Sequence, residues 1–489
     1  MHVATHRIAV LLTISAAAML WACSRSGSGE SALAITHVTL IDATGTPPQP
    51  DMAVVISGSR IAEIGPSQSA AIPRGARVLD ATGKFLIPGL VDAHLHLTGA
   101  GEPDGSREFF LPLLLANGIT TVRDMGGYLE SLLPLRHEIQ QGKRLGPQIF
   151  FAGPYLDGSP PSFQPALVVT DATQASEDVD TLVQQGVDFI KVQSILSRDA
   201  YFAIAAAARR EHITFVGHVP DRVTAAEASD AGQKSIEHLT CVLRACSSDE
   251  PRLMREQFRP GRKNGTPQGS RAREAAWQRE LLQTYSAENA ANLIAIFLRN
   301  RTWQTPTLIL LRKDAYPGPQ SDSPADPNLQ FVPRAFAEKW KQVLQAQNKF
   351  TSPEGFALRE QLFEQSMRIV GKMQASGVPI LAGTDSAAPY VIPGFALHQE
   401  LALLVEAGLT PMQALQAATK NPADFLGKLE TQGTIEPGKT ADLLLLDASP
   451  LDDIRNTQKI RALILQGKLL DRLALDQLLI SETQFAGSH

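Results

Sequence analysis

Two histidines stand two residues apart in Gly89-Leu90-Val91-Asp92-Ala93-His94-Leu95-His96. Residues at that spacing leave a strand on the same face, and imidazole nitrogen is a preferred ligand of zinc and related divalent ions. The apolar run 85–91 just before them predicts a buried strand that delivers both rings to one point. Other candidate ligands also end short apolar runs. His218 closes Ile213-Thr214-Phe215-Val216-Gly217-His218, and His238 closes Lys234-Ser235-Ile236-Glu237-His238. Their separation suits one strand–helix unit, which predicts both at the same end of a parallel sheet. Asp385 follows the apolar run 378–384. A carboxylate there is costly to bury unless it is paired or bound to metal.

Lys191 lies in Phe189-Ile190-Lys191-Val192, the apolar end of another expected strand. Lysine is rarely buried without a partner. One reading is a side chain that snorkels to the rim. The other is an amine whose pKa is lowered by burial and nearby cations and which adds carbon dioxide. The resulting carbamate has two anionic oxygens, suited to bridging two metals. Tyr155 and Asp157 follow the third expected strand and are candidates for touching substrate. Asp92, Arg123 and Asp124 read as supporting contacts, His398 as structural and Trp303 as packing.

These residues need a scaffold that brings strand ends together. Apolar runs at 90–96, 120–123, 148–152, 189–192, 214–218, 235–238, 305–308 and 379–385 alternate with helical stretches such as Arg198–Arg210 and 286–299. Eight strands in β-α alternation predict an α/β fold, a closed (β/α)8 TIM barrel over residues 87–425. Short alternating strands with turn residues between them occupy 32–86 and return in 426–475. These are expected to pair into a small β-sandwich, leaving 476–489 as a tail. Polar, Pro/Gly-rich stretches at 247–273 and 316–333 are expected at the barrel mouth.

The N-terminal residues 1–22 read as a signal peptide, with Arg7 ahead of an apolar stretch too short to span a bilayer. Leu20-Trp21-Ala22-Cys23, followed by the polar tether 23–31, resembles a bacterial lipoprotein signal with Cys23 as the lipidated residue. The expected location is the cell envelope, anchored through Cys23 on the periplasmic side, with the outer membrane favoured. The alternative is a secreted or soluble periplasmic protein. In an oxidising compartment Cys241 and Cys246 form either a disulfide or two free thiols. The 489 residues carry 45 basic and 50 acidic side chains. No basic stripe suggests a nucleic-acid partner.

Taken together, His94, His96, Lys191, His218, His238 and Asp385 resemble the site of the amidohydrolase superfamily in its binuclear form. The flanks 87–92, 118–124 and 433–443 agree with that resemblance, which covers residues 32–471. Within the superfamily the chain is most similar to the imidazolonepropionase-like and Xaa-Pro dipeptidase-like group. The resemblance implies one metal on His94, His96 and Asp385 and a second on His218 and His238. Carboxylated Lys191 and a hydroxide would bridge them, with zinc the expected metal and Asp385 the catalytic base. It also implies hydrolysis of a small amide, a dipeptide or N-acyl amino acid, by a homo-oligomer. A lactonase or esterase using the same site, or a non-catalytic binding lipoprotein, are the alternatives. The tyrosine that some dipeptidases carry two residues after the fifth-strand histidine is absent, since the chain reads His218-Val219-Pro220. Asp221 stands where mononuclear deaminases have glutamate, which together with Lys191 points away from deamination.

Overall fold

The computed structural model describes residues 32–99, 106–257, 267–317 and 326–488. The expected signal segment, the tether and Cys23 lie outside them.

Seven parallel strands build the barrel wall: Leu90–Leu95, Ile119–Asp124, Gln148–Phe151, Ile190–Val192, Phe215–Gly217, Ser235–Glu237 and Trp303–Thr305. The third is broken after Phe151 and resumes as Tyr155–Asp157, which pairs with the fourth through Leu156 and Val192. The break is spanned where Asp188 N–H donates to Phe151 O at 2.9 Å. The eighth stretch, 379–385, forms no regular strand but still closes the ring. Gln304 N–H donates to Pro379 O at 3.0 Å, and Ala93 N–H donates to Ala382 O at 2.9 Å. His96 N–H donates to Ser386 O at 2.7 Å. The (β/α)8 barrel read from the sequence is therefore the observed architecture.

Two helices show how the sequence joins an apolar face to an N-terminal cap. Arg198–Arg210 buries Ala200, Tyr201 and Ile204 and is capped by Ser197, whose hydroxyl accepts from Ala200 N–H. Ala287–Asn300 is capped in the same way by Ser286. The seventh strand lies earlier than the expected 305–308. Thr307 is left-handed at φ 46°, which ends the strand, and helix Leu308–Ala315 starts immediately after it. Among the described residues, the polar stretch after the sixth strand contributes to two helices, Glu250–Gln257 and Pro267–Gln283.

The barrel interior below the strand ends is plugged by Phe150, Phe189, Val216, Trp303, Leu381 and Phe425. The plug gives the polar groups above it a dry floor.

Strands from both ends of the chain form one mixed eight-stranded sheet beside the barrel. Leu443–Leu446, from the C-terminal part, pairs antiparallel with Phe85–Pro88. The sheet curls until its edge strand meets the segment before Leu443: Ala441 N–H donates to Ser59 O and Ile61 N–H to Lys439 O, both at 2.9 Å. The curl encloses a separate core that includes Leu33, Ile35, Val54, Leu443, Leu445 and Ile464. Strand alternation sends Leu444 and Leu446 the other way, into the barrel core. Residues 476–488, expected as part of a tail, belong to a helix, Arg472–Ser488, whose Leu475 is buried in the barrel-side core.

Candidate metal centre

The barrel strands carry their ligand-type side chains to one end. His94 and His96 leave the first strand with ring centroids 5.5 Å apart. His238 ends the sixth strand, 4.5 Å from His94 and 5.0 Å from His218 at the end of the fifth. Asp385 closes the group: its Oδ1 lies 3.1 Å from His96 Nε2 and 3.4 Å from His94 Nε2, and its Oδ2 lies 4.0 Å from His238 Nε2. His94, His238 and Asp385 each offer a ligand atom within 4.8 Å of the others. The backbone bends to make this possible, since His238 and Asp385 sit at φ 56° and 61°. For residues with a Cβ this left-handed region is uncommon.

All four imidazoles are held through Nδ1. His94 Nδ1 is 2.8 Å from Glu237 Oε2, and His96 Nδ1 is 2.9 Å from Gly126 O. His218 Nδ1 is 2.8 Å from Ser194 Oγ. His238 Nδ1 is 2.7 Å from Thr307 Oγ1, whose own hydrogen goes to Pro306 O. Glu237, Gly126 O and Thr307 Oγ1 act as acceptors, so the proton of His94, His96 and His238 sits on Nδ1. That leaves Nε2, which in all three rings faces Asp385, as the position for a cation. His94 Nε2 is buried with no hydrogen-bond partner.

Lys191 is 1% exposed, and its Nζ has no hydrogen-bond partner. It does not snorkel. Burial lowers its pKa to about 8, against the opposing pull of Glu237 and Asp385. Gly217, at φ 130°, makes room for it: a Cβ there would stand 2.9 Å from Lys191 Cδ and 2.3 Å from Val192 O. Burial, reinforced by Lys191 and His238, takes His218 well below its ordinary pKa. Burial and the neighbouring His94 take His238 down to about 3. Burial pushes Asp385 upward, but His238, His94 and His96 outweigh it and hold the carboxyl well below its usual range. The site thus combines two neutral imidazoles, His218 and His238, with an ionised carboxylate, donor types that divalent ions take, and sets an unpartnered lysine beside them.

The two residues expected to touch substrate meet different fates. Tyr155 is at the site, with its hydroxyl 3.2 Å from His96 Nδ1 and its ring 5.9 Å from the His96 ring. Asp157 is not available to a substrate. It is fully buried, and its carboxylate accepts from Gly158, Ile195 and Ser162 N–H. It fastens the loop that follows. Cys241 and Cys246 are free thiols.

Sequence reasoning missed Glu237. It is fully buried between His94 and Arg123, whose guanidinium also donates to Ala93 O at 2.5 Å. Burial pushes Glu237 upward, but Arg123 and His94 hold it well below the usual carboxylate range. The signal was present: a carboxylate ending an apolar strand, the same reasoning that singled out Asp385. Ser194 and Thr307 carried no such signal, because hydroxyls at loop positions are common.

The arrangement defines a (β/α)8-barrel protein with a histidine-rich candidate metal centre at the strand ends. The chain belongs to the amidohydrolase family, which it matches over residues 85–278 and 338–470. Among curated proteins it is similar to the adenine deaminase of Paracoccus denitrificans (strain Pd 1222), 35% identical over 74 residues, 15% of this chain and 12% of that protein. The matched stretch thus spans about an eighth of that relative's length. Among solved structures, the bottromycin amidohydrolase superposes with a TM-score of 0.72 at 24% identity, covering 93% of this chain and 90% of that one. A Xaa-Pro dipeptidase with bound methionine superposes with a TM-score of 0.64 at 21% identity, covering 90% of this chain and 100% of that one. At these identities the superpositions establish the fold.

Proposed function

We propose that the chain is a binuclear metal-dependent amidohydrolase that cleaves the carbon–nitrogen bond of a small amide, a dipeptide or N-acyl amino acid. The observation that carries this reading is the set of four imidazoles held through Nδ1 around Asp385, with unpartnered Lys191 beside them. His94, His96 and Asp385 would hold one ion, and His218 and His238 a second. Lys191, as a carbamate, would bridge them, and zinc suits the nitrogen-rich set. Such ions supply Lewis-acid polarisation of the scissile carbonyl and an acidified water.

The chain's own residues do the rest. Asp385 takes the proton of the attacking water at Oδ2, the oxygen not facing His94 and His96, and passes it to the leaving amine. Glu237 and Thr307 keep His94 and His238 in the ligating tautomer. The aromatic and aliphatic plug beneath keeps bulk water from the floor of the site. The imidazolonepropionase-like and dipeptidase-like character, and the lipid anchor at Cys23 that would place the enzyme at the cell envelope, rest on the sequence resemblance. The test is metal analysis together with a screen of dipeptides and N-acyl amino acids, on protein supplied with zinc and bicarbonate. Two equivalents of metal with turnover support the reading; no metal and no turnover would overturn it in favour of a binding scaffold.

A further inference from the structure

Phe163 stands 58% exposed on the connection between strands Tyr155–Asp157 and Ala166–Val168. A single exposed aromatic is ordinary on a protein surface. This one differs in where it is held and what it touches. The connection is fastened at both ends and in the middle. Tyr155 N–H donates to Pro165 O at 3.0 Å, and Ser162 N–H donates to Asp157 Oδ2 at 2.7 Å. Gly158 packs so closely on the neighbouring segment that a Cβ would stand 2.3 Å from Ile195 O. That segment also carries Ser194, the partner of His218. The loop is thus pinned to the same framework as the candidate metal centre.

Three rings then form a row that starts at the centre. The Tyr155 ring lies 5.9 Å from His96, and the Phe163 ring lies 6.5 Å from Tyr155. Tyr155 is only 5% exposed, so the accessible apolar surface of this row belongs to Phe163. Aromatic pairs at such spacing favour tilted or edge contacts, leaving a ring face open to a further apolar group. The two rings meet at 52°, an arrangement of this kind.

We propose that Phe163, backed by Tyr155, is the specificity-determining wall of an aromatic subsite. It would receive an aromatic side chain or acyl group attached to the scissile amide. The choice of amide rests on the hydrolase reading above; the aromatic preference rests on the ring row alone.

Two measurements on zinc- and bicarbonate-supplied protein separate these claims. The first is calorimetric binding of ω-phenylalkanoates, from 4-phenylbutanoate to 6-phenylhexanoate, against unsubstituted alkanoates of matched chain length. None of these can be hydrolysed. The wild-type protein should bind a phenyl-bearing member about tenfold more tightly, and Phe163→Ala should erase that preference while Phe163→Trp keeps it. The second is hydrolysis of N-acetyl-L-phenylalanine against N-acetylglycine. Phe163→Ala should lower kcat/KM for the first about tenfold and leave the second, the metal content and the Tm unchanged. No phenyl preference in the wild type, or a preference that survives Phe163→Ala, overturns the subsite. A phenyl preference without any hydrolysis upholds the subsite and defeats the hydrolase reading instead.

Discussion

Arg123 and Glu237 form an ion pair at 2.9 Å in which neither side chain is more than 1% exposed. The pair lies directly behind His94, whose Nδ1 meets the other oxygen of the same carboxylate. Removing one partner of a buried pair leaves a charge with nothing to compensate it, at a cost of about 3–5 kcal/mol. Glu237→Gln is therefore expected to unfold at markedly lower denaturant concentration and to bind metal about 10–100-fold more weakly, because His94 loses the negative charge of its orienting acceptor. Adding Arg123→Met to that variant should recover much of the stability and none of the metal affinity. Chemical denaturation and metal titration of the three proteins check both halves.

Asp385→Asn preserves the size of the side chain and removes its basicity. The expected outcome is a folded protein that keeps much of its metal and loses about 10²–10⁴-fold in kcat. Near wild-type turnover in this variant would remove Asp385 from the role of proton carrier.

Lys191→Ala takes away the unpartnered amine at the end of the fourth strand. Metal analysis should then give fewer than two equivalents per chain, and short-chain carboxylates added to the assay should restore part of the activity. An unchanged metal content would show that Lys191 bridges nothing.

Glu400 provides a pH test away from the metal centre. It is fully buried, Oε2 accepts from Ile309 N–H at 2.7 Å, and burial raises its pKa from 4.5 to about 8. The native state keeps the proton while the unfolded chain releases it. The unfolded state therefore binds fewer protons between these two values, and stability falls as pH rises from about 4.5 to about 8. Glu400→Gln has no proton to lose and should show a shallower decline across that window. Urea denaturation at pH 5 and pH 8 reads the difference; parallel declines in the two proteins would exclude Glu400 as its source.

Much of this was legible because it rests on local pattern. His94 and His96 were found by strand alternation, and helix Arg198–Arg210 as a helical stretch between two apolar runs. The barrel count followed from regular β-α alternation. What escaped depends on the third dimension. The seventh strand was placed too late because Thr307 turns left-handed, a backbone choice that nothing in Pro306-Thr307-Leu308 announces. Asp157 was offered to a substrate because its position in the chain says nothing of the three N–H groups that converge on it. Glu237 lies 143 residues from His94 in sequence, and only barrel closure makes them neighbours.

Strand Leu443–Leu446 turns Leu443 and Leu445 into one core and Leu444 and Leu446 into the other. Leu444 also fills the space that a Cβ on Gly118 would occupy, just before the second barrel strand. During synthesis the barrel's last wall segment, 379–385, leaves the ribosome well before this strand exists. Until it arrives, Phe85–Pro88 lacks one of its neighbours and the apolar surface around Gly118 stays wet. A nascent chain halted between these points would present an open edge and a greasy patch, the features that chaperones bind and proteases cut. One short strand thus ties the small sheet to the barrel, so that neither core is complete without it.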